Sequence, residues 1–575
     1  MKRPGFDTTG STGAARQALR PVAMPLASSR PARRARAGWL AGGGFTVVAM
    51  LALLILILYP LLAILIQSVV PGLFSVPARF DVTLAPFSRA FSNPEIYHAM
   101  LNTAWLGVAV AASGTLTGAL LAVLFQRTDL PGKRLFEGLV WVTLFTPSYL
   151  VALAWELLFS RGGFIDTTIA PLPDGFINTT FSPVGLTVLL ALRMFPFSYL
   201  AVVAALRGLG SEYEEAARMV GAHPLRCWLR INGPLLAPAL FAGALIIFAE
   251  SISDYGTAAT IAQQAGFNLV TYELYAGLNN APVDYALAAA LAMILVTAIA
   301  AVLLLQARLL RARSYQIITG RTRRAHVRRL EGWRWPLALL TGLFFFLALG
   351  LPLIATVGVS FMRNVGDGLT RNNLSLTNYQ QALDLSGDML GGLERSTVLA
   401  LLAATVTAFL GPAIAFIVER THVRGRGALR LLTIVTLAIP GIVLAAGYIF
   451  AWNQPWMNNL PGGTPYPSLG LLLAEGALAQ VGDHLLEAAR LAGAHTGRLF
   501  RHIVLPLIIT SVLSTWMLVF TGTIFELPAS ELLQPAGQAP LAVQIINQYN
   551  NFKEGPGTAM TILALLIVTL LALLT

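Results

Sequence analysis

The chain has 575 residues, of which 56% are hydrophobic and only 11% charged, with a mean hydropathy of +0.69. Soluble domains carry about 25% charged residues, so the composition excludes a string of water-soluble domains and leaves a polytopic membrane protein. The formal charge of +12 does not make it a nucleic-acid binder, because the bases lie between long apolar runs, and the single cysteine, Cys227, excludes a disulfide framework or a multi-cysteine metal site.

In chain order, residues 1–38 set Lys2, Arg3, Arg16, Arg20, Arg30, Arg33, Arg34 and Arg36 against Asp7, among Pro, Ala, Ser and Gly. Such a segment reads as a disordered basic tail. Six apolar segments follow, at 39–67, 97–125, 136–159, 184–207, 235–256 and 284–307. Each supplies the roughly 20 residues that a spanning helix needs. The first is too long for the apolar region of a cleaved signal and reads as a span. These make a first unit at 39–310, followed by an Arg-rich linker at 311–335 and a second unit at 336–575. The second unit has candidate spans at 336–361, 394–418, 430–453, 468–485, 507–527 and 557–575. Of these twelve the tenth is weak, being short and carrying Glu475 in its middle.

Charge gives the orientation, since Lys and Arg concentrate in cytoplasmic loops. The linker holds Arg313, Arg321, Arg323, Arg324, Arg328, Arg329 and Arg334, whereas the connection at 257–283 has no Lys or Arg. Arg127, Lys133 and Arg134 mark the loop after the second span, and Arg420, Arg424, Arg426 and Arg430 its counterpart after the eighth. The N-terminus is therefore expected in the cytoplasm, with six spans per unit.

The units are copies of one another. EEAARMVGA at 214–222 matches LEAARLAGA at 486–494, and Ile231 and Pro234 match Ile503 and Pro506, all at an offset of 272. Earlier in the units, Arg127-Thr128 and Gly132 match Arg420-Thr421 and Gly425 at an offset of 293. An even number of spans per unit makes the repeats parallel. Within the tenth span the offset falls from 285 (Ser182-Pro183-Val184-Gly185 against Pro467-Ser468-Leu469-Gly470) to 272, so thirteen residues are missing there.

The repeated segment reads as a short helix in a cytoplasmic loop. Ser211 is a suitable N-cap, Glu212, Glu214 and Glu215 suit the positive end of the helix dipole, and Gly221 can end the helix. Ala216 and Ala217 let another surface approach closely. Glu-Ala-Ala, three residues, Gly, nine residues, Ile, one residue and Leu-Pro closely resembles the signature of permease subunits of bacterial ABC importers. The second copy fits throughout (Glu487, Ala488, Ala489, Gly493, Ile503, Leu505-Pro506), and the first departs only at Gly233. The resemblance implies an all-α polytopic membrane protein of the bacterial inner membrane, two parallel six-helix repeats of the type-1 importer permease. It further implies that Glu215, Ala216, Ala217 and Gly221, with Glu487, Ala488, Ala489 and Gly493, dock two cytoplasmic ATPase subunits. A periplasmic substrate-binding protein is the implied outer partner.

The chain itself has no phosphate-binding G-x-x-x-x-G-K-[ST] loop, no HExxH pair and no nucleophile elbow. It is expected to be no enzyme and to bind no cofactor, with ATP and Mg held by the partner. His223, His484, His495 and His502 lie in or beside the repeated segments and are read as docking or structural residues, not metal ligands.

ESISDYG at 250–256, with Thr271-Tyr272, and Glu526-Leu527-Pro528-Ala529 resemble ferric-iron importer permeases. Thiamine, phosphonate and polyamine permeases remain alternatives within the class, and an ATP-independent secondary transporter of two six-span repeats is the alternative outside it. Asp254 and Glu526 are related by the offset of 272, near the outer end of the fifth span of each unit, and Glu250 lies one helical turn before Asp254. Acids at such positions often line a pathway, so Glu250, Asp254 and Glu526 are the candidate pathway residues for a cation. The competing reading makes them caps of helix ends beside water.

Overall fold

The computed structural model describes residues 47–73, 79–209, 219, 221, 223, 228–312, 327–384, 387–420, 425–437, 439–452, 505–535 and 537–574. Among these every regular element is helical, apart from two isolated β-bridges. The principal helices of the first half are α1 Val47–Val69, α2 Pro94–Arg127, α3 Lys133–Phe145, α4 Ser148–Phe159, α5 Pro183–Gly208 and α6 Arg230–Ser253. They continue with α7 Tyr255–Thr257, α8 Val270–Asn279 and α9 Tyr285–Ala312. The second half has α10 Glu331–Ser360, α11 Asp388–Arg420, α12 Arg426–Leu437, α13 Gly441–Trp452 and α14 Leu505–Ile524. It ends with α15 Pro528–Leu533, α16 Leu541–Asn550 and α17 Glu554–Leu574.

Eight of the described helices are long and apolar enough to cross a membrane, and the bent pair formed by α3 and the segment Ser148–Thr168 makes a ninth. The expected third span is thus two helices at 99°, not one rod. Pro147 supplies the break, because the residue before a proline is driven out of the helical region and Thr146 is extended at φ −74°, ψ 123°. The ninth span divides in the same way, with Pro440 between α12 and α13. Pro147 and Pro440 stand 293 apart, the offset already seen at the Arg-Thr pairs. The expected tenth span, Cys227 and the second Glu-Ala-Ala segment lie outside the described residues.

Other irregularities repeat as well. A π-helical stretch, Leu54–Leu58, precedes Pro60 in α1, and another, Phe346–Gly350, precedes Pro352 in α10. Thr103 Oγ1 of α2 accepts the backbone N–H of Val270 at 2.9 Å, and Ser396 Oγ of α11 accepts that of Leu541 at 2.9 Å. One hydroxyl in each half thereby satisfies a donor at the start of α8 or α16, where a helix leaves N–H groups without partners.

The first span of each half packs within its own half, α1 on α9 and α10 on α17, and also reaches across to the other. α1 packs on α13 of the other half, and α10 packs on α3 and α4. Pro60 has no N–H to give Leu56 four residues earlier. Tyr448 fills the gap, donating its hydroxyl to the Leu56 carbonyl at 2.8 Å, while Tyr59 donates to the Ala451 carbonyl at 2.8 Å. In a membrane, where hydrophobic drive between helices is weak, close packing of small residues and such hydrogen bonds do the joining. A Cβ on Gly447 would lie 2.9 Å from the Pro60 carbonyl oxygen, and one on Gly118 2.5 Å from that of Phe195. The reciprocal contact sets Phe136 of α3 on Phe345 of α10, stacked with centroids 5.7 Å apart.

At the basic end of the bundle the linker is tied to the first half. Arg328 N–H donates to the Arg127 carbonyl at 2.9 Å, and Leu330 N–H to Asp129 Oδ1 at 2.8 Å. Arg127 in turn donates Nη2 to the carbonyl of Leu209, the last described residue of the run leading into the first Glu-Ala-Ala segment, at 3.0 Å.

Candidate functional site: a cavity between the halves

A cavity of about 590 Å³ opens where the proline breaks of the two halves meet. Pro147 and Pro440 line it, and so do Glu250, Asp254 and Glu526. The structure therefore brings all three candidate pathway acids to one wall system. Glu250 is exposed there, and Asp254 and Glu526 are half-buried.

Helix ends place the acids. α6 stops at Ser253, Asp254 is extended at φ −72°, ψ 106°, and its Oδ2 accepts the N–H of Thr257 at 2.9 Å. α14 stops at Ile524, and Glu526 spans the first turn of α15, with Oε1 accepting from Ala529 N–H at 2.8 Å and Oε2 from Ser530 N–H at 2.9 Å. Each acid thus caps a short helix and lines the cavity.

The halves differ in what they add. One turn before Asp254 stands Glu250, whereas one turn before Glu526 stands Gly522, and both line the cavity. Arg193, from the middle of α5, is the cavity's one lining cation among the described residues. Its Nε donates to the carbonyl of Thr146 at 3.2 Å, the residue at which α3 ends. Arg193 also lies near enough to attract the charge of Glu250. Sequence reasoning passed over Arg193, although a charged residue inside an apolar span is a signal of function in its own right. It also passed over Tyr149, a buried residue of the cavity wall whose hydroxyl has no hydrogen-bond partner.

Of the first coupling segment, Glu215, Ala216 and Ala217 lie outside the described residues, as do Glu487, Ala488, Ala489 and Gly493. Gly221 is described, with φ +80°, exposed, and with nothing within 4 Å of where a Cβ would stand. That left-handed conformation is the one glycine adopts just past a helix end. Met219, two residues earlier, is helical and 84% exposed. Pro234 stands in the first turn of the α-helical run Gly233–Ser253, although a π-helical turn, Trp228–Asn232, carries the helix further back than expected.

The family described as a binding-protein-dependent transport system inner membrane component matches residues 114–315 and again 409–575. The chain belongs to this family. As such a component it is a multi-pass inner-membrane permease built of two repeats, and a transport subunit, not an enzyme. It is 26% identical to the putative ferric transport system permease protein FbpB 1 of Haemophilus influenzae, over 82% of this chain and 75% of that one. It is 25% identical to the ferric transport system permease protein FbpB of Actinobacillus pleuropneumoniae, over 93% and 78%. The sulfate transport system permease protein CysT of Salmonella typhimurium is 27% identical over 44% of this chain and 88% of its own.

Proposed function

We propose that this permease forms the translocation pathway of an ATP-driven importer of ferric iron delivered by a periplasmic binding protein. The observation that carries the cation reading is the sign of the cavity, lined among the described residues by three carboxyl groups against one guanidinium. A cleft lined mainly by one sign of charge concentrates the opposite sign, so sulfate or a phosphonate would be repelled where a metal cation is drawn in. The ferric relatives run along both halves of the chain, whereas the sulfate relative matches less than half of it.

Among the described residues no three His, Cys, Asp or Glu side chains converge to hold a metal ion. The cavity acids therefore attract rather than chelate, which suits a path whose cargo must leave again. Asp254 and Glu526 keep their backbone N–H partners while facing the cavity, so these two carboxyl groups are held in place without a bound ion.

In this reading the basic end faces the cytoplasm, as the positive-inside rule requires, and the N-terminus lies there. Two ATPase subunits dock on the Glu-Ala-Ala segments, carrying ATP and Mg themselves. The left-handed turn at Gly221 and the exposed Met219 beside it support a presented docking element in the first copy. ATP binding that prefers one arrangement of the ATPase pair shifts the permease between its inward- and outward-open states, because a ligand moves an equilibrium only by preferring one state.

Uptake of radiolabelled ferric iron into proteoliposomes holding the permease and its ATPase tests the reading. Uptake that needs ATP and survives collapse of the proton gradient is the expected result. Uptake that follows the gradient and ignores ATP would make the chain a secondary transporter.

A further inference from the structure

One turn beyond Pro528, on α15, lies a carboxylate that the pathway acids do not use. Glu531 receives a hydrogen bond at Oε1 from the hydroxyl of Tyr275 on α8 of the other half, at 3.3 Å, long for an O–H···O bond. Its Oε2 is buried with no partner at all. Among the described residues no Lys, Arg or His pairs with it. An orphaned buried carboxylate oxygen costs a few kcal/mol unless something fills its lone pairs.

What surrounds it is phenolic. Tyr255, only 3% exposed and on the cavity wall, has its ring 5.4 Å from that of Tyr275, and the Tyr272 ring lies beyond, tilted at 40° and 6.2 Å from Tyr275. Asn279 Nδ2 donates to the Tyr275 oxygen at 2.6 Å, which turns the phenol proton toward Glu531 and leaves the oxygen as an acceptor. Burial raises the Glu531 carboxyl above its ordinary value, and burial with the Glu531 charge pushes the Tyr275 phenol up to about 12. Both groups lie outside the candidate spanning helices.

We propose that Glu531, Tyr275 and Tyr255 form an oxygen-donor site between the halves for a hard metal cation, a stopping point beside the cavity. Carboxylate and phenolate oxygens suit such cations over softer ones, and a trivalent ion displaces the phenol proton to solvent as it binds. Tyr255 belongs to both the site and the cavity wall, so an ion leaving Glu531 has an oxygen ligand on the way in. The inference rests on the cation reading above and assigns it a resting place that no cavity acid provides.

The test titrates the detergent-purified full-length permease with ferric citrate and follows the visible charge-transfer band of a tyrosinate–iron pair. The wild-type chain is expected to give the band, more strongly as the pH rises. Glu531→Gln and Tyr275→Phe should each weaken binding about tenfold or more, and Glu531→Asp should keep the band. Elution as a single monodisperse species identifies variants that fold. Folded variants that bind iron as the wild type does, or a wild-type chain with no band, overturn the site. Iron uptake in proteoliposomes is measured in parallel. Uptake without a band removes this site and leaves the importer reading standing, whereas a band that the variants abolish supports the site even if uptake fails.

Discussion

The two halves build the same break in the same place and then arm it differently. Each divides its third span at a proline, Pro147 or Pro440, and each ends its fifth span one or two residues before a capping acid, Asp254 or Glu526. The first half adds Glu250 and Arg193, while the second offers Gly522 where Glu250 has its counterpart. Duplication thus accounts for the shape of the cavity, and divergence for its charge. Among the described residues, Glu526 is the sole acid that the second half contributes to the cavity lining.

That difference sets the largest expected effect. Glu526→Gln should lower the initial rate of iron uptake about tenfold or more, whereas Asp254→Asn should cost less because Glu250 remains one turn away. Equal losses, measured in proteoliposomes with partner ATPase present, would show that the halves contribute alike. Gly522→Glu supplies the missing acid and should restore part of the uptake lost in Glu250→Gln.

The crossing contacts of the first spans give the next comparison. Gly447→Ala forces a Cβ against Pro60 and should destabilise the chain by about 1–3 kcal/mol, read as a lower melting temperature in detergent. Tyr448→Phe strands the Leu56 carbonyl and should cost about 1–2 kcal/mol. Gly221→Ala, where only backbone conformation opposes a side chain, should cost about 1–2 kcal/mol locally. It should reduce ATPase co-purification while leaving the melting temperature of the bundle unchanged. The smallest effects belong to the matched hydroxyls. Thr103→Val and Ser396→Ala should each cost about 1 kcal/mol, and a large inequality between them would mean the shared bond is not a shared support.

Much of this was legible in the residues. Hydropathy located the helices, and the offset of 272 paired Asp254 with Glu526 before any contact was known. What hydropathy could not reveal was the 99° turn at Pro147, because a window sums apolarity across a bend as readily as along a rod. The 293 offset, carried on to Pro147 and Pro440, would have marked both breaks. The crossing contacts of α1 and α10 were illegible for a different reason: which apolar face meets which depends on residues hundreds of positions apart, and both faces look alike to lipid. Arg193 was visible as a charge within an apolar span, but only the structure shows that it answers the Thr146 carbonyl at the break between α3 and α4.

The crosswise seating of α1 has a consequence for how the chain is made. The bonds that hold it, Tyr59 to Ala451 and Tyr448 to Leu56, each join residues 392 apart. At roughly 5–20 residues per second of synthesis, the first helix enters the bilayer about 20–80 s before its partner exists. Throughout that interval the Leu56 carbonyl lacks Tyr448 as a donor. A nascent chain halted before residue 448 would therefore carry α1 with only its own half, α9 above all, to pack on, an unclosed clasp.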